Sequence, residues 1–281
     1  MILVTGARGY IGSFFINKNQ NNYDIKKFSL QVEKLNELSL KNVDTILHCA
    51  ALVHQKQKLP YIDYKIVNID YPLALAKKAK EEGVKQFIFI SSIAVYGDNY
   101  TELDEDTKCK PTTYYGKSKL RAEEELLSLQ NENFIISIIR PPMVYGKDAP
   151  GNIKTLIKLI TKISILPFGK INNKRSFIFI ENLIGLIDTV IDKKKSGIFL
   201  ASDDKAISTT YLVELITQQF HKKSYLIKLP FLNIFLKKFK PSLYTKLYDS
   251  LKIDNSQTKK KLNYSNPYSV EEGIKKMLEG K

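Results

Sequence analysis

The chain has 281 residues, 43% of them hydrophobic, and a formal net charge of +15, enough apolar material for one large core or a main core with a smaller lobe. Two cysteines without metal-ligand spacing and three scattered histidines argue against a metal centre and a disulfide framework. The lysines are dispersed and no groove-reading motif accompanies them, which describes a solvated surface better than a nucleic-acid partner; no apolar run reaches about eighteen residues, so a soluble cytoplasmic protein is expected.

Strand-like and helix-like segments alternate through the first half. Ile2 to Thr5 reads as a strand and is followed by a helix from about Tyr10; Tyr23 to Phe28 and Thr45 to Cys49 read as further strands. A helix from about Tyr61 to Glu82, a strand from Gln86 to Ser91, a helix from about Thr113 to Gln130 and a strand from Phe134 to Ile139 complete the series. Such alternation predicts an α/β fold of Rossmann type, a doubly wound parallel sheet with helices on both faces. After Arg140-Pro-Pro the pattern loosens, with short strands near Ser176 to Ile180 and Gly197 to Leu200 and two or three helices. These predict a small C-terminal α/β lobe, divided from the sheet domain at 1–165 and 166–281 with an interleaved boundary. The segment Leu229 to Lys252 is apolar and basic, but Pro230 and Pro241 break it; it is expected to cover the small lobe as helices, without membrane contact.

Gly6-Ala-Arg8-Gly9-Tyr10-Ile11-Gly12 follows the first strand and opens the first helix. Glycine there permits a tight turn and close approach of a pyrophosphate, and the helix N-terminus offers unpaired N–H groups and a partial positive charge. The acidic residue that would hold the adenosine ribose of NAD is absent from the end of the second strand, where Ser29 stands with Lys26 and Lys27 near it and Arg8 in the glycine loop. A carboxylate repels a 2′-phosphate, whereas these residues accept one, so NADP(H) is favoured over NAD(H).

The fourth strand brings Ser91 and Ser92 to the carboxyl edge of the sheet, where ligands bind in open α/β folds. Tyr115 and Lys119 follow at the start of a helix, one turn apart, where an ammonium could lower the phenol pKa. Spacing alone does not select them. Tyr23/Lys27, Tyr61/Lys65 and Tyr248/Lys252 share it, and about two such pairs arise by chance; only Tyr115 neighbours a serine-bearing strand end. Arg121 is expected to pair with Glu124 or Glu125 on the surface, and Arg140 to meet a backbone or carboxylate group. His48 and His54 suggest no catalytic triad, and Cys49 reads as a small wall residue.

With these segments the chain resembles the extended short-chain dehydrogenases, in particular the NAD-dependent epimerase/dehydratase family acting on nucleotide sugars. The resemblance covers nearly the whole length and rests on Thr5 to Gly12, His48 to Leu52, Val67-Asn68, Ser91-Ser92 with Val95 to Gly97, Tyr115 to Lys119, Arg140 to Gly146 and Asn172 to Ser176. It implies that Tyr115 is the general acid/base, Lys119 its electrostatic partner and Ser92 a hydrogen-bond donor to the sugar oxygen. It further implies that Cys49, Ala50, Ala51, Leu52, Val53, Asn68 and Pro142 line the cofactor, while Asn152, Phe168 and Arg175 meet the diphosphate of a UDP-sugar. A homodimer is expected on the same basis.

Departures from the family pattern narrow the reaction. Ile93-Ala94 stands where dehydratases carry Asp-Glu, Met143 stands where UDP-hexose epimerases carry Asn, and no Arg follows Arg175. The resulting expectation is NAD(P)H-dependent reduction of the C4 ketone of a UDP-4-keto-6-deoxy-N-acetylhexosamine, for surface polysaccharide synthesis. A UDP-hexose or N-acetylhexosamine 4-epimerase is the alternative, and a non-catalytic nucleotide- or RNA-binding protein a minor one.

Overall fold

The structure, a computed structural model, describes residues 1–29, 34–53, 59–220 and 224–279. The chain opens with β1 (Ile2–Thr5), α1 (Tyr10–Asn19), β2 (Ile25–Phe28) and β3 (Thr45–His48). Next come α2 (Tyr61–Lys65), a π turn (Ile66–Asp70), α3 (Tyr71–Glu81), β4 (Gln86–Ile90) and β5 (Glu102–Leu103). They are followed by α4 (Tyr114–Leu127), β6 (Ile135–Arg140), β7 (Met143–Tyr145), α5 (Asn152–Lys162) and β8 (Ile165–Leu166). The remainder comprises β9 (Phe177–Phe179), α6 (Ile180–Lys193), β10 (Gly197–Leu200), α7 (Thr209–Gln219), β11 (Tyr225–Leu226), α8 (Leu232–Phe239), α9 (Pro241–Tyr248), β12 (Lys252–Ile253), α10 (Ser256–Leu262) and α11 (Val270–Leu278).

Six parallel strands form one sheet in the order β2-β1-β3-β4-β6-β10. Successive side chains of a strand point to opposite faces, and the two faces bury separate sets. Ile2, Val4, Ile88, Ile90 and Ile139 pack with α1 and α6 on one side. Leu3, Phe87, Phe89, Ile136 and Ile138 pack with α3 and α4 on the other. Strands buried on both faces read as continuous apolar runs, as QFIFI in β4 does.

Two expectations change in detail. The helix from Tyr61 to Glu82 is interrupted by the π turn, within which Asn68 is turned to the loop after β3, and single π turns commonly serve such local needs. A boundary at 165/166 also misplaces part of the sheet domain: β10 is paired to β6, and α6 packs against α1. The small lobe contributes α5, α7 and α11, and its apolar residues run without a break into the first face of the sheet. Two-stranded parallel ladders, β7 with β9, β8 with β11 and β5 with β12, tie the loops together.

The apolar, basic segment forms α8 and α9, separated at Lys240-Pro241. Contrary to expectation it does not cover the lobe with its apolar face. Leu236 is the one buried residue of α8, while Phe231, Ile234, Phe235 and Phe239 are exposed.

Candidate active site

At β1 the chain reverses the order of the sheet, since β2 lies on one side and β3 on the other, and the carboxyl ends of β1 and β3 flank the crevice where ligands bind in such folds. Gly6 closes β1 with φ +69°, and a Cβ there would lie 2.6 Å from the amide nitrogen of Ala50. Glycine thus brings the loop after β1 directly against the loop after β3. A Cβ on Gly12 would meet the Gly6 carbonyl oxygen at 2.4 Å, so the same contact seats α1 on the turn. Gly9 is the exposed N-cap of α1, with no side-chain cap. Arg8 is exposed, Tyr10 and Ile11 are half-buried, and the Tyr10 hydroxyl is buried without a hydrogen-bond partner. An uncapped helix N-terminus above a glycine turn fits a dinucleotide pyrophosphate.

The opposite wall is built by Asn68. Its side-chain oxygen accepts from the Leu52 amide at 2.8 Å, and its nitrogen donates to the Leu52 carbonyl and to Ser118 Oγ, both at 3.0 Å. Asn68 therefore shapes the loop Cys49–Val53 through its backbone. Ala50, Ala51 and Leu52 are half-buried and Val53 is exposed. Burial pushes the Cys49 thiol up to about 12, so this group is a wall and not a nucleophile. His48 is fully buried between Phe87 and Phe89, with Nδ1 2.9 Å from Thr5 Oγ1. Burial first, then the Lys119 charge, lower its pKa to about 3, which keeps the imidazole neutral. His54 lies outside the described residues.

Ser92 follows β4 in extended conformation and caps a short 3₁₀ turn, Ile93–Val95, its Oγ accepting from the Ala94 amide at 3.2 Å. Tyr115 lies in the first turn of α4, which is capped by Thr113. Gly116 brings the two together: its Cβ would lie 2.4 Å from the Ala94 carbonyl oxygen, so only glycine lets α4 press onto the Ser92 turn. The Tyr115 phenol and Ser92 are hydrogen-bonded. Burial pushes the phenol up to about 12, and the bond to Ser92 acts in the other direction.

Lys119 is fully buried, donates from Nζ to the Ile90 carbonyl at 2.7 Å and lies 4.1 Å from the centroid of the Phe89 ring. Burial lowers its pKa to about 7, opposed by Glu123 and then Cys49. The ammonium expected to acidify the phenol is thus directed at the end of β4. Beside burial, the Ser92 hydrogen bond acts on the phenol and lowers its pKa. Beneath Lys119, Glu123 receives Arg140 in a buried ion pair and accepts from Ser91, while Arg140 Nη1 donates to the Tyr96 hydroxyl at 2.8 Å. The carboxylate expected for Arg140 is therefore Glu123, one helical turn beyond Lys119, a spacing at which side chains share a face. Arg121 pairs on the surface with Glu125 at 2.6 Å.

Pro142 is buried at the end of β6, and the preceding Pro141 carbonyl accepts from Ile93 at 3.1 Å. Of the residues assigned to the nucleotide, Asn152 is exposed at the first turn of α5. Phe168 instead places its ring in the core, and its carbonyl accepts from Thr210 Oγ1 at 2.5 Å, so it offers no exposed aromatic face. Arg175 donates from Nη1 to the Thr245 and Asp249 carbonyls, at 3.0 and 3.1 Å, and thereby holds the end of α9; these bonds use part of a five-donor guanidinium. Ser29 is half-buried just past β2, beside exposed Lys27. Lys26 is engaged with the Ser39 carbonyl at 2.8 Å.

The chain as a whole has relatives among known proteins. Residues 2–200 match the NAD dependent epimerase/dehydratase family. A UDP-glucose 4-epimerase of Vibrio cholerae is 34% identical over 98% of this chain and 93% of its own length. A crystal structure of UDP-glucuronic acid 4-epimerase from Bacillus cereus with NAD superposes with a TM-score of 0.78 at 21% identity, over 98% of this chain and 96% of that one. The dTDP-4-dehydrorhamnose reductase of Bacillus anthracis with NADP does so equally, with a TM-score of 0.78 at 20% identity, over 98% and 97%. The fold is therefore common to proteins named for both reactions.

Proposed function

Since this chain belongs to the NAD-dependent epimerase/dehydratase family, we propose that it inverts C4 of a UDP-hexose or UDP-N-acetylhexosamine. The observation that carries the chemistry is the Ser92–Tyr115 hydrogen bond at the carboxyl end of β4, across the crevice from the glycine turn of β1. Kinship with the Vibrio cholerae 4-epimerase along almost the whole chain supports epimerisation as the outcome.

Gly6–Gly12 would hold a nicotinamide dinucleotide and Cys49–Val53 would wall it, and when bound it would supply the uptake and return of the C4 hydride. Tyr115 takes the proton from the C4 hydroxyl as the ketone forms and gives it back on return. Ser92 hydrogen-bonds the same oxygen and holds it as charge develops. Lys119 lies one helical turn from Tyr115 and brings a cation into a buried site, where charge acts more strongly than in water. Asn152 and the remaining Arg175 donors hold the diphosphate from the small lobe, so the sugar ring can present either face at C4. A homodimer working in the cytoplasm completes the proposal.

A second reading, reduction of the C4 ketone of a UDP-4-keto-6-deoxy-N-acetylhexosamine by NADPH, is favoured by the residues past β2. Arg8 and Lys27 are exposed, and the residue that follows β2 is Ser29 and not a carboxylate. Met143 and Ile93-Ala94 agree with it. One experiment separates the two: purified protein is given UDP-glucose or UDP-N-acetylglucosamine without added cofactor, and separately the 4-keto sugar with NADPH. Formation of the C4 epimer with retained NAD supports the first reading; stoichiometric NADPH oxidation without epimer formation replaces it with the second.

A further inference from the structure

The residues of α8 and α9 form an exposed surface that is both apolar and basic. Phe231 is 75% exposed, Phe239 61% and Ile234 61%, with Phe235 and Leu243 beside them. Phe235 and Phe239 are four residues apart in α8 and so share one side of the helix, and Phe231 is its N-cap. The rings of Phe235 and Phe239 stand 4.9 Å apart, and Lys237 lies 5.7 Å from the Tyr244 ring. Between Glu214 and Asp249 the sequence contains seven lysines and no carboxylate.

The hydrogen bonds that fasten this helix pair sit at one end, where Leu247 and Tyr248 also pack against the core. Asn173 Nδ2 donates to the Leu247 and Asp249 carbonyls at 3.1 and 3.2 Å, Thr209 Oγ1 donates to the Leu247 carbonyl at 2.7 Å, and Arg175 adds the bonds already described. The phenylalanines take no part in that attachment. They are displayed on a basic hairpin fastened by the carbonyls at the far end of α9.

We propose that α8 and α9 dock this protein onto an anionic lipid bilayer. Phenylalanine and aliphatic side chains enter the headgroup boundary, and flanking lysines meet the acidic headgroups. Charge and the exposed aliphatic side chains together select this occupant. A second copy of the same lysine-rich face would be repelled, and Ile234 and Leu243 offer a nucleic acid no stacking surface whereas they partition into hydrocarbon. This proposal departs from the expectation of no membrane contact. No helix among the described residues is long and apolar enough to cross a membrane, so the contact is with one leaflet.

The test is flotation of the full-length protein with vesicles of phosphatidylcholine, alone or with about one-third phosphatidylglycerol. Binding is expected with the anionic vesicles and weaker binding with the neutral ones, falling as salt shortens the range of charge attraction. Lys237→Glu/Lys238→Glu and, separately, Phe235→Ser/Phe239→Ser are each expected to reduce the partition coefficient by about tenfold or more, with unchanged thermal unfolding. Failure of the wild-type protein to float with anionic vesicles overturns the proposal. So does a light-scattering mass showing a wild-type oligomer that Phe235→Ser/Phe239→Ser dissociates, because a second copy would then be the occupant. None of these outcomes depends on which sugar reaction the site performs.

Discussion

The Nζ of Lys119 lies 2.7 Å from the carbonyl oxygen of Ile90, the last residue of β4. The cation of the site is thus fastened to the strand that also delivers Ser92, and its burial, not its distance from the phenol, governs its charge.

Burial lowers Lys119 to about 7, so the ammonium is present below that pH and lost above it. As that charge is lost, kcat/KM is expected to fall as pH rises through about 7, and Lys119→Met is expected to lose that limb and about 10²-fold in rate. Stability follows the opposite sign. Between about 7 and the ordinary lysine value the unfolded chain binds more protons, so stability rises with pH across that window. Denaturant titration over the same pH range is expected to show a flatter profile for Lys119→Met.

Glu123 is expected to matter for stability before it matters for chemistry. Glu123→Gln leaves the guanidinium of Arg140, which is buried with it, without its counter-charge, a change that costs about 3–5 kcal/mol. Ser91→Ala removes one bond to the same carboxylate and is expected to cost about 1 kcal/mol. Equilibrium denaturation of both variants measures the contrast.

Gly116→Ala tests the contact between α4 and the Ser92 turn. A methyl group 2.4 Å from the Ala94 carbonyl must push the helix start away, at a cost of about 1–3 kcal/mol. Separation of Tyr115 from Ser92 by a fraction of an ångström is expected to lower kcat by about 10²-fold, with KM much less affected. Steady-state kinetics beside a melting curve distinguishes this from simple unfolding.

Cofactor choice is tested at Arg8 and Lys27. If they receive a 2′-phosphate, Arg8→Ala with Lys27→Ala weakens NADPH binding by about tenfold or more and leaves NADH binding unchanged. Equal loss for both cofactors in a fluorescence titration removes this role.

The sheet was legible because strands buried on both faces are written as apolar runs, and the glycine turn because it lies between a strand and a helix. Tyr115 could be chosen among four equally spaced pairs only through Ser92, and the structure brings those two residues into contact. Glu123 escaped notice although it stands four residues after Lys119, since an acidic residue in a helix usually faces water. Phe168 was assigned to the nucleotide by resemblance, yet its ring completes the core, and an isolated Phe carries no signal that separates these roles. The assignment of α6 and β10 to the small lobe came from chain order, whereas sheet membership is decided by pairing with β6. That Lys26 reaches the Ser39 carbonyl could not be read from the sequence, because the two are brought together only by the fold.

The most direct test of the central claim uses UDP-glucose deuterated at C4, the purified protein and NMR of the sugar nucleotides. Transfer of the C4 hydride to a bound nicotinamide and back, with Tyr115 moving the hydroxyl proton and Ser92 holding the oxygen, predicts UDP-galactose that retains deuterium at C4, with Tyr115→Phe slowing its formation by about 10² to 10⁴-fold. Absence of the C4 epimer, or an epimer whose C4 label has exchanged with water, would contradict the account.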